Sequence, residues 1–409
     1  MSSQVVISGI SIISCLGDKV SEVISRLSKG CNAYKEIAND ADMSCRYSSC
    51  YDDFDATEYL GKKGVRALNR CTKMLLAGVM TALDDANLTI DEHLEERVGV
   101  ILASNFGVEA KSREMGGIVY SEGPKGLSPL SSYYMSINGV ASQVSIWTKA
   151  KAFNLTVSSG YTSGFDGVVL AKNYIQSGRA DVVIMAGAEE LSIQLIKDFD
   201  RQGLLAKSFK ESLPFFKGSD GMILGDGAAV IIIESYKHAV SRKAKFYSSI
   251  GSCLTSFVYE MKNHYGFQIR NLFLREFSKS VAFPDSVDMI MSSANGTVSD
   301  MTEYNAYANT FNPETLIFNV KSYFGECFAF TDLLQIVFGA YALRNRAVLK
   351  LPIIGRLKDV IGFRGDKYKN NPLTEINTVL VGSVGADGKF ASLLLNAIDD
   401  AVDIHGNTT

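Results

Sequence analysis

Three short stretches concentrate the side chains that could do chemistry. The first is Ser158-Ser159-Gly160-Tyr161-Thr162-Ser163-Gly164, a run of small residues broken by one phenol. It follows a short apolar run, Leu155 to Val157, and precedes apolar residues at helical spacing: Phe165, Val168, Val169, Ala171 and Ile175. Strand, sharp turn and helix in that order aim the turn residue into a cleft, beside helix-terminal N–H groups that favour negative charge. A nucleophile belongs at that tip, and the residue there is Tyr161. The second stretch, Asn295-Gly296-Thr297, follows an apolar strand at Ser286 to Ser293. The third, Lys321-Ser322-Tyr323-Phe324-Gly325-Glu326, follows a strand at Leu316 to Asn319 and leads into a helix from about Phe330 to Arg344. The groups on offer are thus a phenol, an amide, an ammonium and a carboxylate. A phenol with its ordinary pKa of about 10 is a poor nucleophile at neutral pH.

Stronger nucleophiles and bases fall outside this pattern. The cysteines are Cys15, Cys31, Cys45, Cys50, Cys71, Cys253 and Cys327, scattered, odd in number and without metal-ligand spacing. No metal and no cofactor are expected. Cys327 follows Glu326 directly, so its side chain should point elsewhere. His93, His238, His264 and His405 lie in none of the three stretches and read as surface or loop residues. With 41 basic and 44 acidic residues and no long basic run, neither nucleic acid nor an anionic membrane is expected as the main partner. No apolar run reaches the roughly 18 residues that span a bilayer. Met1 to Gln4 leads straight into a strand, so no signal peptide is expected, and a cytoplasmic location with reduced thiols follows.

The elements that must position these residues alternate. Val5 to Ile13 reads as a buried strand, Val20 to Leu27 as a short helix, and Leu68 to Asn87 as a long one with Leu68, Cys71, Leu75, Val79, Met80 and Leu83 on one stripe. Val98 to Ala103 and Ala180 to Ala186 are further strands, and a helical region runs on through Leu204. Ser104 to Asn138 is the least regular part, rich in Gly and Ser, and long segments of that kind are often functional. Thr378 to Ser383 and Phe390 to Asn396 are the last two strands. Such alternation predicts mostly parallel sheet with helices on its faces. The 409 residues suffice for two core-sized units, read as 1–244 and 245–409.

The three stretches resemble motifs of the β-ketoacyl-acyl-carrier-protein synthases. That family's nucleophile elbow runs roughly T-A-C-[TS]-[SG]-G, then a helix, then G-x-A-D-x-x-[IV]-x-G-[GA]-[AT]-E. Here Ser159 to Gly164 is followed by Gly178-Arg179-Ala180-Asp181 and by Gly187-Ala188-Glu189. Pro214 to Glu234 resembles P-F-D-x-x-R-D-G-F-x-x-G-E-G-A-x-x-x-x-L-E, with Phe216 and Ser219 for the usual Asp and Arg and Asp226 for the usual Glu. Asn295-Gly296-Thr297 stands at H-G-T, and Lys321 to Glu326 at K-S-x-x-G-H. The resemblance covers nearly the whole chain. It implies an α/β thiolase-like fold, two pseudo-duplicated halves in a layered α-β-α-β-α arrangement.

Decarboxylative condensation in that family needs a cysteine thiolate to carry the acyl chain and two histidines to stabilise the enolate and oxyanion. The matching positions here are Tyr161, Asn295 and Glu326, so the resemblance implies no working catalytic set. Lys321 and Glu303 match positions that pair with each other in the family, and an ion pair between them is expected. Thr297 and Ser299 match hydroxyls that hold the pantetheine arm; turn formation after a strand is their other reading. The family's gating phenylalanine, in G-F-G-G-T-N, is missing from Val384-Gly385-Ala386-Asp387-Gly388-Lys389-Phe390. A non-catalytic subunit follows, similar to the chain length factors (ketosynthase β subunits) of type II polyketide and aryl polyene pathways. It would pair with an active ketosynthase as a heterodimer, meet acyl carrier protein and shape the acyl tunnel. Tunnel-lining candidates are Met115, Tyr133, Tyr134 and Met135, with ordinary core packing as the alternative. Two other readings stand open: an enzyme of altered chemistry, such as a malonyl decarboxylase or acyl hydrolase, and a pseudoenzyme outside polyketide synthesis.

Overall fold

The computed structural model describes residues 4–37, 42–129, 135–208, 212–216, 218–257, 284–346, 355–356, 375–385 and 387–399. Eleven strands within them join into one sheet. In chain order they are β1 (Val5–Ile13), β2 (Val98–Ala103), β3 (Phe153–Val157), β4 (Val182–Glu189), β5 (Gly227–Ser235), β6 (Ser248–Phe257), β7 (Met289–Met291), β8 (Leu316–Phe318), β9 (Gly355–Arg356), β10 (Thr378–Val384) and β11 (Lys389–Asn396). Their spatial order is β9-β8-β7-β10-β11-β6-β1-β5-β4-β2-β3.

That order repeats. With the two-residue β9 at the far edge set aside, β1-β5-β4-β2-β3 and β6-β11-β10-β7-β8, counted outward from the middle, use the first, fifth, fourth, second and third strands of their respective segments. The senses repeat as well. β2 runs parallel to both β3 and β4, β4 antiparallel to β5, and β5 antiparallel to β1. Likewise β7 runs parallel to β8 and β10, β10 antiparallel to β11, and β11 antiparallel to β6. The two arrays meet where β1 pairs with β6, through Val6–Ser249 and Ile7–Ser248. The sheet is therefore mixed rather than mostly parallel, because the first and last strands of each array lie side by side.

Helices fill the layers around it. Helix α1 (Arg70–Asp85) is capped by Asn69, whose side chain accepts from the Thr72 N–H, and it buries its apolar stripe on the outer face of the first array with α3 (Ile137–Thr148). After α5 (Ile193–Arg201), helix α6 (Ser299–Ala308) covers the outer face of the second, and the short α7 (Lys321–Phe324) follows β8. Between the arrays lie α4 (Ser163–Gln176) and α8 (Ala329–Arg344), whose core residues pack against strands of both. Nearly every residue of α8 is buried, Asp332 and Gln335 included, which fits its largely apolar composition and central place. These are the five layers of a thiolase-like fold. The middle helices approach closely at Gly164, where a Cβ atom would stand only 2.5 Å from Asp332 Cβ.

Several sequence expectations need correction. The stretch Ser104 to Asn138 is not irregular throughout: it holds the helix α2 (Glu109–Glu122), on which Met115 is buried and Tyr120 fully exposed. Met135 is exposed, and Tyr133 and Tyr134 lie outside the described residues. The strand read at Ser286 to Ser293 is pared to Met289–Met291. His238 is no loop residue. It sits in a short helix with Nδ1 2.6 Å from the buried Glu234, and His264 and His405 lie outside the described residues. No helix among the described residues is long and apolar enough to cross a membrane.

Candidate functional site

The site forms where β3, β7 and β8 end and the middle helices begin. The turn after β3 holds the elbow shape by hydrogen bonds to its backbone. Asn105 accepts from the Gly160 N–H (3.0 Å) and donates to the Gly160 carbonyl (3.1 Å). From the β10–β11 hairpin, Ser383 Oγ donates to the Tyr161 carbonyl (2.8 Å) and Lys389 Nζ to the Ser159 carbonyl (2.5 Å). Gly160 carries the reversal at φ 84°, a conformation glycine adopts at little cost. The Tyr161 phenol itself makes no hydrogen bond among the described residues, and its ring lies against Phe328, 5.4 Å between centroids. Burial, with the Glu326 and Asp387 carboxylates, pushes the phenol further above its ordinary range. Tyr161 is thus held where a nucleophile would be and is less able to ionise than free tyrosine.

The turn after β8 is built differently. Glu326, 1% exposed, accepts from four donors. Lys321 Nζ (2.7 Å) and Asn295 Nδ2 (2.9 Å) reach Oε2, while the Phe328 N–H (2.9 Å) reaches Oε1, as does Thr331 Oγ1 (3.3 Å), whose one proton it shares with the Phe328 carbonyl (3.0 Å). Burial disfavours the Lys321 ammonium, but the Glu326 and Asp332 carboxylates outweigh it and raise its pKa. Asn295 completes the chain: its Oδ1 accepts from Thr297 Oγ1 (2.7 Å), which lies 2.7 Å from Ser299 Oγ. A hydroxyl–hydroxyl–amide–carboxylate–ammonium line therefore runs from Ser299 to Lys321. The sequence motifs located each of its members.

The expected Lys321–Glu303 ion pair is absent. Glu303 instead accepts from Ser292 Oγ (2.9 Å), the Ser293 N–H (2.8 Å) and Ser293 Oγ (2.9 Å). The physical reason is local: Glu326 lies five residues from Lys321 on the same turn and presents a bare carboxylate within reach. A histidine there could not have competed for the ammonium.

Two further carboxylates hold the loops that carry the site, and sequence reading missed both. Asp300 accepts from the N–H groups of Asn295 (2.9 Å), Gly296 (3.0 Å) and Phe215 (3.0 Å). Glu189 accepts from those of Asn105 (2.8 Å) and Phe106 (2.7 Å). Burial pushes each carboxyl up to about 7 against these donors. A third, Asp332, accepts the Gly164 N–H at the start of α4 (3.0 Å), and burial raises its pKa well above the ordinary range. The signal available was spacing, since Asp300 lies five residues beyond Asn295 and Glu189 closes the elbow motif. Also missed was the aromatic cluster of Phe106, Phe199 and Phe328 beside Tyr161.

Among the described residues, no imidazole lies in either turn. Cys327 is fully buried and its thiol pushed well up, by burial and then by Glu326. His93 is exposed, and His238 is bound to Glu234. No cluster of His, Cys, Asp and Glu among the described residues could hold a metal ion.

Comparison with known proteins places this geometry. Residues 2–239 match the family described as beta-ketoacyl synthase, N-terminal domain. A 3-oxoacyl-[acyl-carrier-protein] synthase 2 of Vibrio harveyi is 32% identical over 254 residues, covering 60% of this chain and 61% of that protein. The ishigamide ketosynthase/chain length factor superposes with a TM-score of 0.84 at 20% identity, over 98% of this chain and all of that one. A type II polyketide synthase ketosynthase, solved with its acyl-carrier protein and bound to the hexaketide, gives 0.80 at 19% identity, over 97% and 100%. With its thiolase-like fold and a family match over more than half its length, the chain belongs to the beta-ketoacyl synthase family.

Proposed function

We propose that this chain is a non-condensing member of its family: a chain length factor-like subunit. It pairs with an active β-ketoacyl-ACP synthase, meets the acyl carrier protein and shapes the acyl tunnel during polyketide or aryl polyene synthesis. One observation carries this reading. The positions that should hold a thiolate and two imidazoles hold an un-ionised phenol, an amide and a carboxylate saturated by four donors. Glu326 places negative charge where condensation develops an oxyanion, so it opposes the reaction that the family performs. The same saturation argues against the altered-chemistry reading, which needs a carboxylate free to exchange a proton with substrate.

The fold supplies a surface for pairing. Among the described residues β3 is the last strand of the sheet, with an outer edge that could continue into a partner's sheet. We read the chain as two halves, 1–244 and 245–409, and the repeated strand order supports that division. Of the four tunnel-floor candidates, Met115 is buried on α2 and Met135 is exposed, while Tyr133 and Tyr134, outside the described residues, stay candidates.

The test is co-expression with candidate ketosynthases, co-purification, and assay of the complex with malonyl-loaded carrier protein. A stable pair, with acyl adducts found by intact mass on the partner only, is expected. A chain that acquires its own acyl adduct and forms product alone overturns the reading. In the active pair, Met115→Ala should lengthen the product by one or more two-carbon units. An unchanged length in a folded variant removes Met115 from the tunnel floor.

A further inference from the structure

The residue two places beyond Glu326 is Phe328, and its backbone is unusual. Its φ of 45° with ψ of −120° is a region that a residue with a side chain rarely enters. Such a conformation persists only where surrounding contacts over-determine it. Two sets of contacts do so here. The Phe328 N–H is captured by Glu326 Oε1 at 2.9 Å. Its ring, 6% exposed, lies against three others: Phe106 at 4.9 Å, Tyr161 at 5.4 Å and Phe199 at 5.7 Å between centroids. Phe106 and Phe199 also meet edge to face at 6.0 Å. Behind them, Leu195, Ile196, Leu205 and Met222 belong to the same apolar cluster.

An acyl group carried on the side chain of residue 161 must occupy the volume beside that side chain. In this molecule the volume is filled from within. We propose that Phe328 is an internal plug, latched by Glu326, which denies this chain's own site to a linear acyl chain. The carboxylate thus has two jobs in one place. It neutralises Lys321, and it holds the backbone that turns the aromatic ring towards Tyr161. Removing the ring would leave an apolar cavity lined by Phe106, Phe199 and Tyr161, and cavities of that kind stay dry and accept apolar ligands. The ligand class that fits such a lining is an unbranched alkyl chain of medium length. The plug rests on the reading of this chain as a non-condensing subunit, and the two can fail separately.

Phe328→Gly is the informative variant, because glycine removes the ring and also adopts the positive φ without strain. The probe is a ten-carbon fatty acid bearing a terminal diazirine, with labelled peptides mapped by mass spectrometry. Mapping assigns label to this chain even when it is purified with a ketosynthase. The wild type should show no saturable label on peptides holding Phe106, Tyr161 or Phe199. Phe328→Gly should label there at least about tenfold more strongly and be competed by decanoic acid, with Phe328→Leu between the two. Saturable labelling of the wild type at those peptides overturns the plug, and that result needs no variant to fold. A folded Phe328→Gly that gains no label overturns it equally. Neither outcome bears on whether the chain binds a ketosynthase, which co-purification decides.

Discussion

The turns that follow β3 and β8 occupy equivalent places in two arrays of identical strand order, and each opens into a middle helix. The first, around Tyr161, keeps the shape of a nucleophile elbow: its backbone is clamped by Asn105, Ser383 and Lys389, while its side chain bonds to nothing described. The second, around Glu326, spends every oxygen lone pair it can on Lys321, Asn295, Phe328 and Thr331. One turn is held through its backbone; the other is held through the side chain at its centre. The two turns thus hold their central residues by different physical means, and they should answer differently to mutation.

The widest gap is expected at the ion pair. Glu326→Ala leaves the Lys321 ammonium buried without its partner, at a cost of about 3–5 kcal/mol. Lys321→Met should cost less, since Glu326 keeps three donors. The double variant Lys321→Met/Glu326→Leu should recover most of the loss, because apolar replacement of a buried pair is often neutral or better. Urea unfolding of the three variants measures this. Equal losses in the single and double variants would show that the pair is not a coupled unit. One step smaller, Asn295→Ala removes a hydrogen bond to a charged group and should cost about 1.5–3 kcal/mol.

The comparison extends to pH. Each array holds the loop after its second strand on a buried carboxyl, Glu189 for Asn105 and Phe106, Asp300 for Asn295 and Gly296. Both are raised to about 7 by burial, so the folded state binds protons that the unfolded chain has released. Their stabilising contribution is complete below about pH 4 and is lost as pH rises to about 7. Glu234 works the other way. Burial there is outweighed by Arg242 and His238, its carboxyl is lowered to about 2, and its contribution is lost only as pH falls below the ordinary carboxylate range. Unfolding free energy measured across pH 4 to 7 should therefore decline, and Asp300→Asn should make the slope shallower. An unchanged slope in that variant would mean Asp300 stays ionised throughout.

Much of this was legible in the sequence because spacing encodes it. Tyr161, Asn295, Glu326 and Lys321 all lie in motifs whose order and intervals survive, and the α1 stripe announced its own burial. Three things were not legible. Helix α2 carries Gly116 and Gly117 in its middle and buries only Met115, so no apolar period marks it. The partner of Lys321 was assigned by analogy to Glu303, yet a carboxylate placed where an imidazole belongs changes which acid the ammonium meets. Phe328 escaped for a similar reason, since a positive φ on a phenylalanine has no sequence signal and follows from what holds it.

The smallest effect belongs to the elbow. Tyr161→Phe removes a hydroxyl that bonds to no described group and keeps the ring that packs on Phe328, so stability should change by no more than about 0.5 kcal/mol. The contrast with Glu326→Ala is the comparison in its sharpest form: one side chain without a described hydrogen bond and one with several. A loss beyond about 1.5 kcal/mol in Tyr161→Phe would show the phenol to be a bonded member of the site and remove the distinction. The corresponding chemical test is Tyr161→Cys. The elbow's shape is intact, but a thiol there still faces Glu326 and Asp387, carboxylates that oppose ionisation, and Asn295 and Glu326 still replace both imidazoles. Incubated with acyl and malonyl carrier proteins, the variant should form no condensation product by intact mass and product analysis. Product from this single change would mean that the Glu326 node does not silence the site, and that the missing thiol alone does.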